Sequence, residues 1–337
     1  MSKYLNLKPK VIGRRSSILG ALLSAFFIAL SAQFGPYNQT QLANVSMLLI
    51  AVLSITLLTG ASGQISLGQG AIMAVGGYGA ALLVVRLGIN MWLAFFLAIF
   101  ISALFGLFLG LAAARLSGPY LAGTTLVMAL AIPSIAVRFE GFFSGDVGFS
   151  VDYGVPPEWL SNLVGEITIE EWSLYAVLPF TALALIAVLN LSNSRTGRSW
   201  RAVRDNEVAA ALSGINISRS KVKVFVCAST LAGLAGALYG FRGLVAPSVY
   251  PTDLSLTLLT AAVIGGLRSI GGAIFGTFVV VYLPDIIEKI SGGLEISESI
   301  GTHLPALILG ALLLLTVILN PRGAAGSLEH LRHHKKH

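Results

Sequence analysis

The chain alternates long apolar runs with short polar breaks, and that alternation leaves few folds open. A helix crossing a bilayer needs about 20 mostly apolar residues. In hydrocarbon only helices and closed barrels satisfy every backbone amide and carbonyl. Candidate spans lie at 17–34, 42–59, 71–86, 91–114, 120–137, 173–191, 223–241, 255–267, 271–287 and 304–319. Charged residues make up 11% of the chain and hydrophobic ones 55%, against about 25% charged in a soluble domain. The expected fold is an all-α integral membrane protein, a polytopic helical bundle of about 10 transmembrane helices forming one domain over 1–337. Several runs are short or interrupted by glycine, so about 8 spans plus re-entrant segments is the alternative count.

Charge sets the expected sidedness. The N-terminus carries Lys3, Lys8, Lys10, Arg14 and Arg15, and the tail 321–337 carries Arg322, Arg332, Lys335 and Lys336. Basic ends are retained in the cytoplasm, which calls for an even number of spans. The segment 138–172 falls outside, with one base (Arg138) against seven acids (Glu140, Asp146, Asp152, Glu158, Glu166, Glu170 and Glu171). Its Pro156-Pro157, Trp159, Leu160, Leu163, Val164 and Trp172 suit a segment on the membrane surface or a contact with an external partner. Arg86 and Arg242 also fall outside, against the rule. The net charge of +7 reflects retention at a lipid bilayer and not nucleic-acid binding. Ala29-Leu30-Ser31 after the first apolar run resembles a signal-peptide cleavage site; a retained first span is the preferred reading.

The largest polar break, 193–223, holds seven bases (Arg195, Arg198, Arg201, Arg204, Arg219, Lys221 and Lys223) and two acids (Asp205 and Glu207). It contains a punctuated short helix. Asp205 and Asn206 can cap its start, Glu207 to Ser213 can form it, and Gly214 can end it at C′. A rigid helix on the cytoplasmic face reads either as a docking element for a soluble partner or as a solvated loop that fixes topology.

Two other breaks are glycine-rich, Gly60 to Gly70 and Gly265 to Gly276. Non-helical backbone at membrane depth is tolerated only where protein or a water-filled cavity satisfies it. Paired breaks in two parts of a chain point to a transport pathway. Gly63, Gln64, Ser66, Gly68 and Gln69, with the hydroxyls of Thr124 and Thr125, are the candidate pathway residues. Small-residue stripes at Ala228, Ala232, Gly236 and Gly240, at Gly106 and Gly110, and at Gly272 and Gly276 predict close helix packing.

Catalytic chemistry is not written in this sequence. It has no phosphate-binding G-x-x-x-x-G-K-[ST] loop, no H-E-x-x-H, no nucleophile elbow and no Cys/His cluster. Cys227 lies in an apolar run, and four of the five histidines (His330, His333, His334 and His337) lie in the basic tail. No catalytic residue, metal site or cofactor is expected. The span centres hold no ionisable residue, which disfavours proton coupling. A pathway without energy-coupling chemistry, plus a docking helix, suggests energy supplied by a separate ATPase. A self-sufficient secondary transporter is the alternative.

Four blocks resemble the LivH/LivM family, the permease subunits of branched-chain amino acid ABC importers. They are 59–83 (TGASGQISLGQGAIMAVGGYGAALL), 118–131 (GPYLAGTTLVMALA), 196–240 and 261–287. The third is the most specific. It matches the family pattern at Gly197, Arg198, Arg201, Ala202, Arg204, Asn206, Glu207, Ala209, Ala210, Gly214, Ile215 and Asn216. The resemblance implies an ATPase-coupling element built on Arg198, Arg201, Arg204, Glu207, Ala209, Ala210 and Gly214, with Ala209-Ala210…Gly214 as the coupling signature. It implies a second, H-type permease subunit, two ATPase subunits, an extracytoplasmic substrate-binding protein and a prokaryotic inner-membrane location. The chain is more similar to the M-type subunit. It departs from the family at Gln69, where His is usual, and at Arg268, where small residues are common. The substrate class stays open between branched-chain amino acids and urea or short-chain amides.

Overall fold

The computed structural model describes residues 35–116, 118–151, 167–240, 242–293 and 298–319, with Pro156, Glu158 and Ala324 singly. The expected first span 17–34, residues 152–166 of the 138–172 segment and the tail 321–337 lie outside the described residues, apart from those single positions.

The remaining candidate spans are all helices. They are α1 (Pro36–Ile55), α2 (Gln69–Val85), α3 (Met91–Ala113), α4 (Pro119–Arg138), α6 (Ile169–Asn193), α9 (Ile217–Gly240), α10 (Leu254–Gly265), α11 (Ile270–Gly293) and α12 (Glu298–Leu319). Short helices α5 (Glu140–Phe143), α7 (Arg195–Asp205) and α8 (Glu207–Leu212) occupy the connections. Six of the helices are long and apolar enough to cross a membrane. The 12-residue α10 rises only about 18 Å, short of a hydrocarbon core of about 30 Å, so it does not cross by itself.

Small residues build the core. α9 packs along both α2 and α3. A Cβ at Gly236 would lie 1.8 Å from the Met73 carbonyl oxygen, and one at Gly76 would lie 2.3 Å from that of Gly233. The α3 glycines Gly106 and Gly110 press on Ser229 and Val222. Backbones this close gain dispersion contacts that no lipid chain can replace. The opposite face of α3 shows why a bilayer is the solvent. Ala94, Ala98 and Ser102 are fully buried against the bundle, while Phe96, Phe100, Leu104 and Phe108, offset by two residues, are exposed.

The segment before α6 and the segment after α9 meet at one end. There β1 (Phe149–Val151) and β2 (Gly243–Val245) pair antiparallel, with Ser150 opposite Leu244. This ribbon was not expected from an all-α reading. Arg86 donates to the Gly141 carbonyl at 2.8 Å, and Arg242 bonds Asn44. Tyr37 and Gln41 both reach Asp285, at 2.5 and 2.6 Å. The two arginines that break the charge rule thus each hold a polar partner. α6 starts at Ile169, earlier than expected, because Thr168 and Glu171 form a capping box. α7 and α8 follow the far end of α6, and so lie at the opposite end of the bundle from the ribbon.

Candidate functional site

The 193–223 island is more ordered than its polarity suggests. Residues 195–205, read from sequence as loop, form α7. Gly197, Trp200 and Val203, spaced by three, face inward. Trp200 is fully buried, and its Nε1 donates to the Ser220 carbonyl at 3.1 Å. This anchor was missed because the intervening arginines mask an inward stripe of only three residues. Gly197 is required where α6 turns into α7, since a Cβ there would lie 2.4 Å from two carbonyl oxygens.

The next cap is Asn206 alone. Its side chain accepts from the Ala209 amide at 2.9 Å, while Asp205 is the last residue of α7 and pairs with Arg204. Asp205 therefore closes the preceding helix and does not start the next one. At the other end of α8, Gly214 sits at φ +83. The Ile215 amide bonds the Ala210 carbonyl at 3.0 Å and the Gly214 amide bonds that of Ala211 at 2.9 Å, the paired bonds of a Schellman stop. Ala210 is buried and Ala209 exposed. Val208 and Leu212, one turn apart, are 70% and 86% exposed. α8 thus presents an uncovered aliphatic face on a helix fixed at both ends.

Three of the four arginines of α7 divide their work. Arg198 donates to the Asn193 carbonyl at 3.1 Å and Arg201 to that of Ser192 at 2.6 Å, so both satisfy the C-terminal carbonyls of α6. Arg204 reaches elsewhere, donating to the Gly60 carbonyl at 2.6 Å. Its stem lies on Gly63, where a Cβ would come within 2.6 Å of Arg204 Cγ. Glu207 pairs with Lys221 of α9 at 2.8 Å.

Gly60 belongs to the first glycine-rich break. α1 runs into a π-helical turn, Thr56–Ala61; the chain turns at Gly63 (φ +73) and re-enters helix at Gln69. The second break, between α10 and α11, packs directly on the first. A Cβ at Gly60 would lie 1.8 Å from the Leu267 carbonyl oxygen. Three segments distant in sequence therefore meet around Gly60: the arginine of α7 and both breaks.

The backbone freed at the first break is satisfied by side chains, as a buried site requires. Thr59 Oγ1 donates to the Gln64 carbonyl and Ser62 Oγ to that of Leu58, at 3.0 and 2.6 Å. The Leu67 amide donates to Thr125 Oγ1 and the Gly70 amide to Ser255 Oγ, both at 3.0 Å. The proposed pathway residues separate accordingly. Thr125, Ser66 and Gln69 are 1–2% exposed, and Gly68 packs on the Thr125 carbonyl. Gly63 and Thr124 are exposed. Thr124 bonds only carbonyls of its own helix, at 3.1 and 2.9 Å. Gln64 is buried, and neither of its carboxamide atoms has a partner in the structure.

Gln64 lines a cavity of ≈ 250 Å³ between the first break, the start of α4 and the α7–α9 segment. A larger cavity of ≈ 460 Å³ lies between α2, α3 and α4, lined by side chains such as Leu82, Phe105 and Ile132. Its polar groups are confined to Tyr78 and Arg86, so it offers little to a zwitterion. Among the described residues no cluster of three metal-ligating side chains occurs.

Comparison with known proteins gives one family. Residues 37–317 match the family described as the permease component of the branched-chain amino acid transport system. The chain is 28% identical over 309 residues to the high-affinity branched-chain amino acid transport system permease protein LivM of Salmonella typhimurium, covering 85% of this chain and 69% of that protein. It is 28% identical over 299 residues to LivH of the same organism, covering 83% and 91%. A xylose transport system permease protein of Haemophilus influenzae is 34% identical over 143 residues, 41% of this chain and 37% of that protein.

Proposed function

The chain belongs to the branched-chain amino acid transport permease family, and from that premise we propose that it carries branched-chain amino acids into the cytoplasm as the M-type subunit of an ABC importer. A second, H-type permease completes the pathway, two ATPase subunits drive it, and an extracytoplasmic binding protein delivers substrate. The location is the prokaryotic inner membrane, with the α7–α8 end in the cytoplasm. The observation that carries this reading is the bond from Arg204 to Gly60. It joins a segment with an uncovered aliphatic helix to the broken backbone inside the bundle. An ATPase that seats on Val208 and Leu212 and moves α8 also moves Arg204, because one residue, Asn206, separates α7 from α8. The motion then reaches both breaks through Gly60. The route itself runs past Gly63, Gln64, Ser66, Gly68, Gln69, Thr124 and Thr125, where small residues leave room and neutral polar groups meet the amine and carboxylate of a zwitterion.

The test is uptake by membrane vesicles from cells that express the chain with the partner subunits proposed above. ATP-dependent accumulation of labelled leucine, in excess over urea and xylose, is expected. Uptake that needs no ATPase partner overturns the importer reading, and preference for urea or xylose overturns the substrate.

A further inference from the structure

We propose that the cavity between the first break and α8 is a binding site for the free amino acid itself, at the end of the route nearest the ATPase. The inference rests on the reading of the chain as an amino acid permease subunit, and it adds a specific site to that reading.

Three kinds of lining group occur together in ≈ 250 Å³. The first is a set of donors for a carboxylate. Lys221 and Arg204 line the cavity with side chains only 8% and 16% exposed. Gln64 is 6% exposed, with both carboxamide atoms buried and unpartnered. A buried amide without hydrogen bonds is costly, and a ligand in the cavity can remove that cost. The second is a pair of acceptors for an ammonium. Asp205 and Glu207 are 65% and 49% exposed, so the negative groups are more open to solvent than the positive ones. The third is an aliphatic wall of Leu116, Leu121 and Val203.

Charge balance narrows the ligand class. Each cation here already pairs with an acid at 2.8 Å, so a simple anion or cation would leave one partner uncompensated. A zwitterion inserts between the two charges without changing the sum. The ligand that meets all three groups has a carboxylate, an ammonium and a branched hydrocarbon side chain. Gly63 keeps the cavity open, because at φ +73 a Cβ there would strike the Arg204 stem. The site spans the first break and the element carrying α8, so occupancy ties the two together.

The experiment is equilibrium binding of L-leucine to the purified full-length chain in detergent. Leucinamide, which lacks the carboxylate, and 4-methylpentanoate, which lacks the ammonium, serve as comparison probes. Both should bind at least about tenfold more weakly than leucine, as expected from losing a charge-assisted contact. Gln64→Leu should weaken leucine binding about tenfold while holding or raising thermal stability, since it removes only an unpartnered amide. Glu207→Gln should weaken leucine binding and strengthen that of 4-methylpentanoate, because Lys221 loses its acid partner. Equal affinity for all three probes, or unchanged leucine affinity in Gln64→Leu, overturns the proposal. Vesicle uptake separates the two readings. Uptake of leucine with no binding by the chain removes the site and leaves the transport reading. Binding without uptake removes the transport reading and leaves the site.

Discussion

Replacing Arg204 with Met tests whether α8 is mechanically joined to the bundle. The substitution keeps an unbranched stem over Gly63 and removes the guanidinium. Two polar contacts are lost. The pair with Asp205 is short, 2.8 Å, but that carboxylate is 65% exposed, and exposed pairs contribute about 0.2–1 kcal/mol. The bond to the Gly60 carbonyl is 2.6 Å and partly buried; a hydrogen bond from a charged donor contributes about 1.5–3 kcal/mol. The Gly60 bond therefore dominates. A loss of about 2 kcal/mol from the coupling between two sites is roughly 30-fold. The assay is leucine imported per ATP hydrolysed by the complex in proteoliposomes. Arg204→Met should lower that ratio by about tenfold or more while ATP hydrolysis and membrane insertion persist. Arg204→Lys keeps the charge without the planar fork and should fall between the two. A wild-type transport ratio in Arg204→Met would refute the proposed transmission through Gly60.

Trp200→Ala empties a fully buried site and removes the indole's bond to the Ser220 carbonyl; a cost of about 3–5 kcal/mol should appear as a lowered melting temperature of the purified chain, and an unchanged one would show that α7 is not anchored there. Gly214→Val meets no steric neighbour, yet φ is +83, and a left-handed β-branched residue costs about 1–2 kcal/mol; uptake should be lost with normal insertion, and normal uptake would sink the role of the α8 stop. In a Cys227→Ser background, Thr124→Cys, at an exposed position, should react with a hydrophilic thiol reagent at rest, whereas Ser66→Cys, at a position 2% exposed, should react only during ATP cycling. A cysteine at 66 that stays inert throughout cycling, with normal uptake, would place Ser66 in dry packing. Reporter fusions after Ser144 and Ser194 should report opposite sides of the membrane, because α6 separates them with 25 residues; the same side at both would overturn the sidedness.

The parts of the fold legible in sequence were those with a local cause. Apolar length gave the helices, and glycine spacing gave the contacts of α9 with α2, as the approach of Gly236 to Met73 shows. Asn206 and Gly214 marked both ends of α8 because capping involves neighbours within a few residues. The ribbon was not legible, since Phe149 and Val245 pair across nearly a hundred positions and three-residue strands leave no period to read. The start of α7 was hidden for a different reason: its arginines satisfy carbonyls of α6, so residues that look like solvated charge are in fact part of a helix junction.

The site shows the same division, and its illegible half carries the proposed transmission. Sequence singled out Gly63, Gln64 and Arg204 for unrelated reasons, a broken helix and a basic loop. Nothing local says that they touch. Yet Gly63 must lack a side chain because Arg204 lies on it, and the Gly60 carbonyl is bonded by that same arginine. Glycine at a membrane break usually reads as freedom of the backbone. At Gly60 the reason is proximity, since a Cβ would overlap the Leu267 carbonyl of the other break. A substitution there would push apart the two breaks and the α7 arginine together. Gly60 and Gly63 are thus positions where three segments are held in contact, and the proposed transmission from α8 to the route needs that contact.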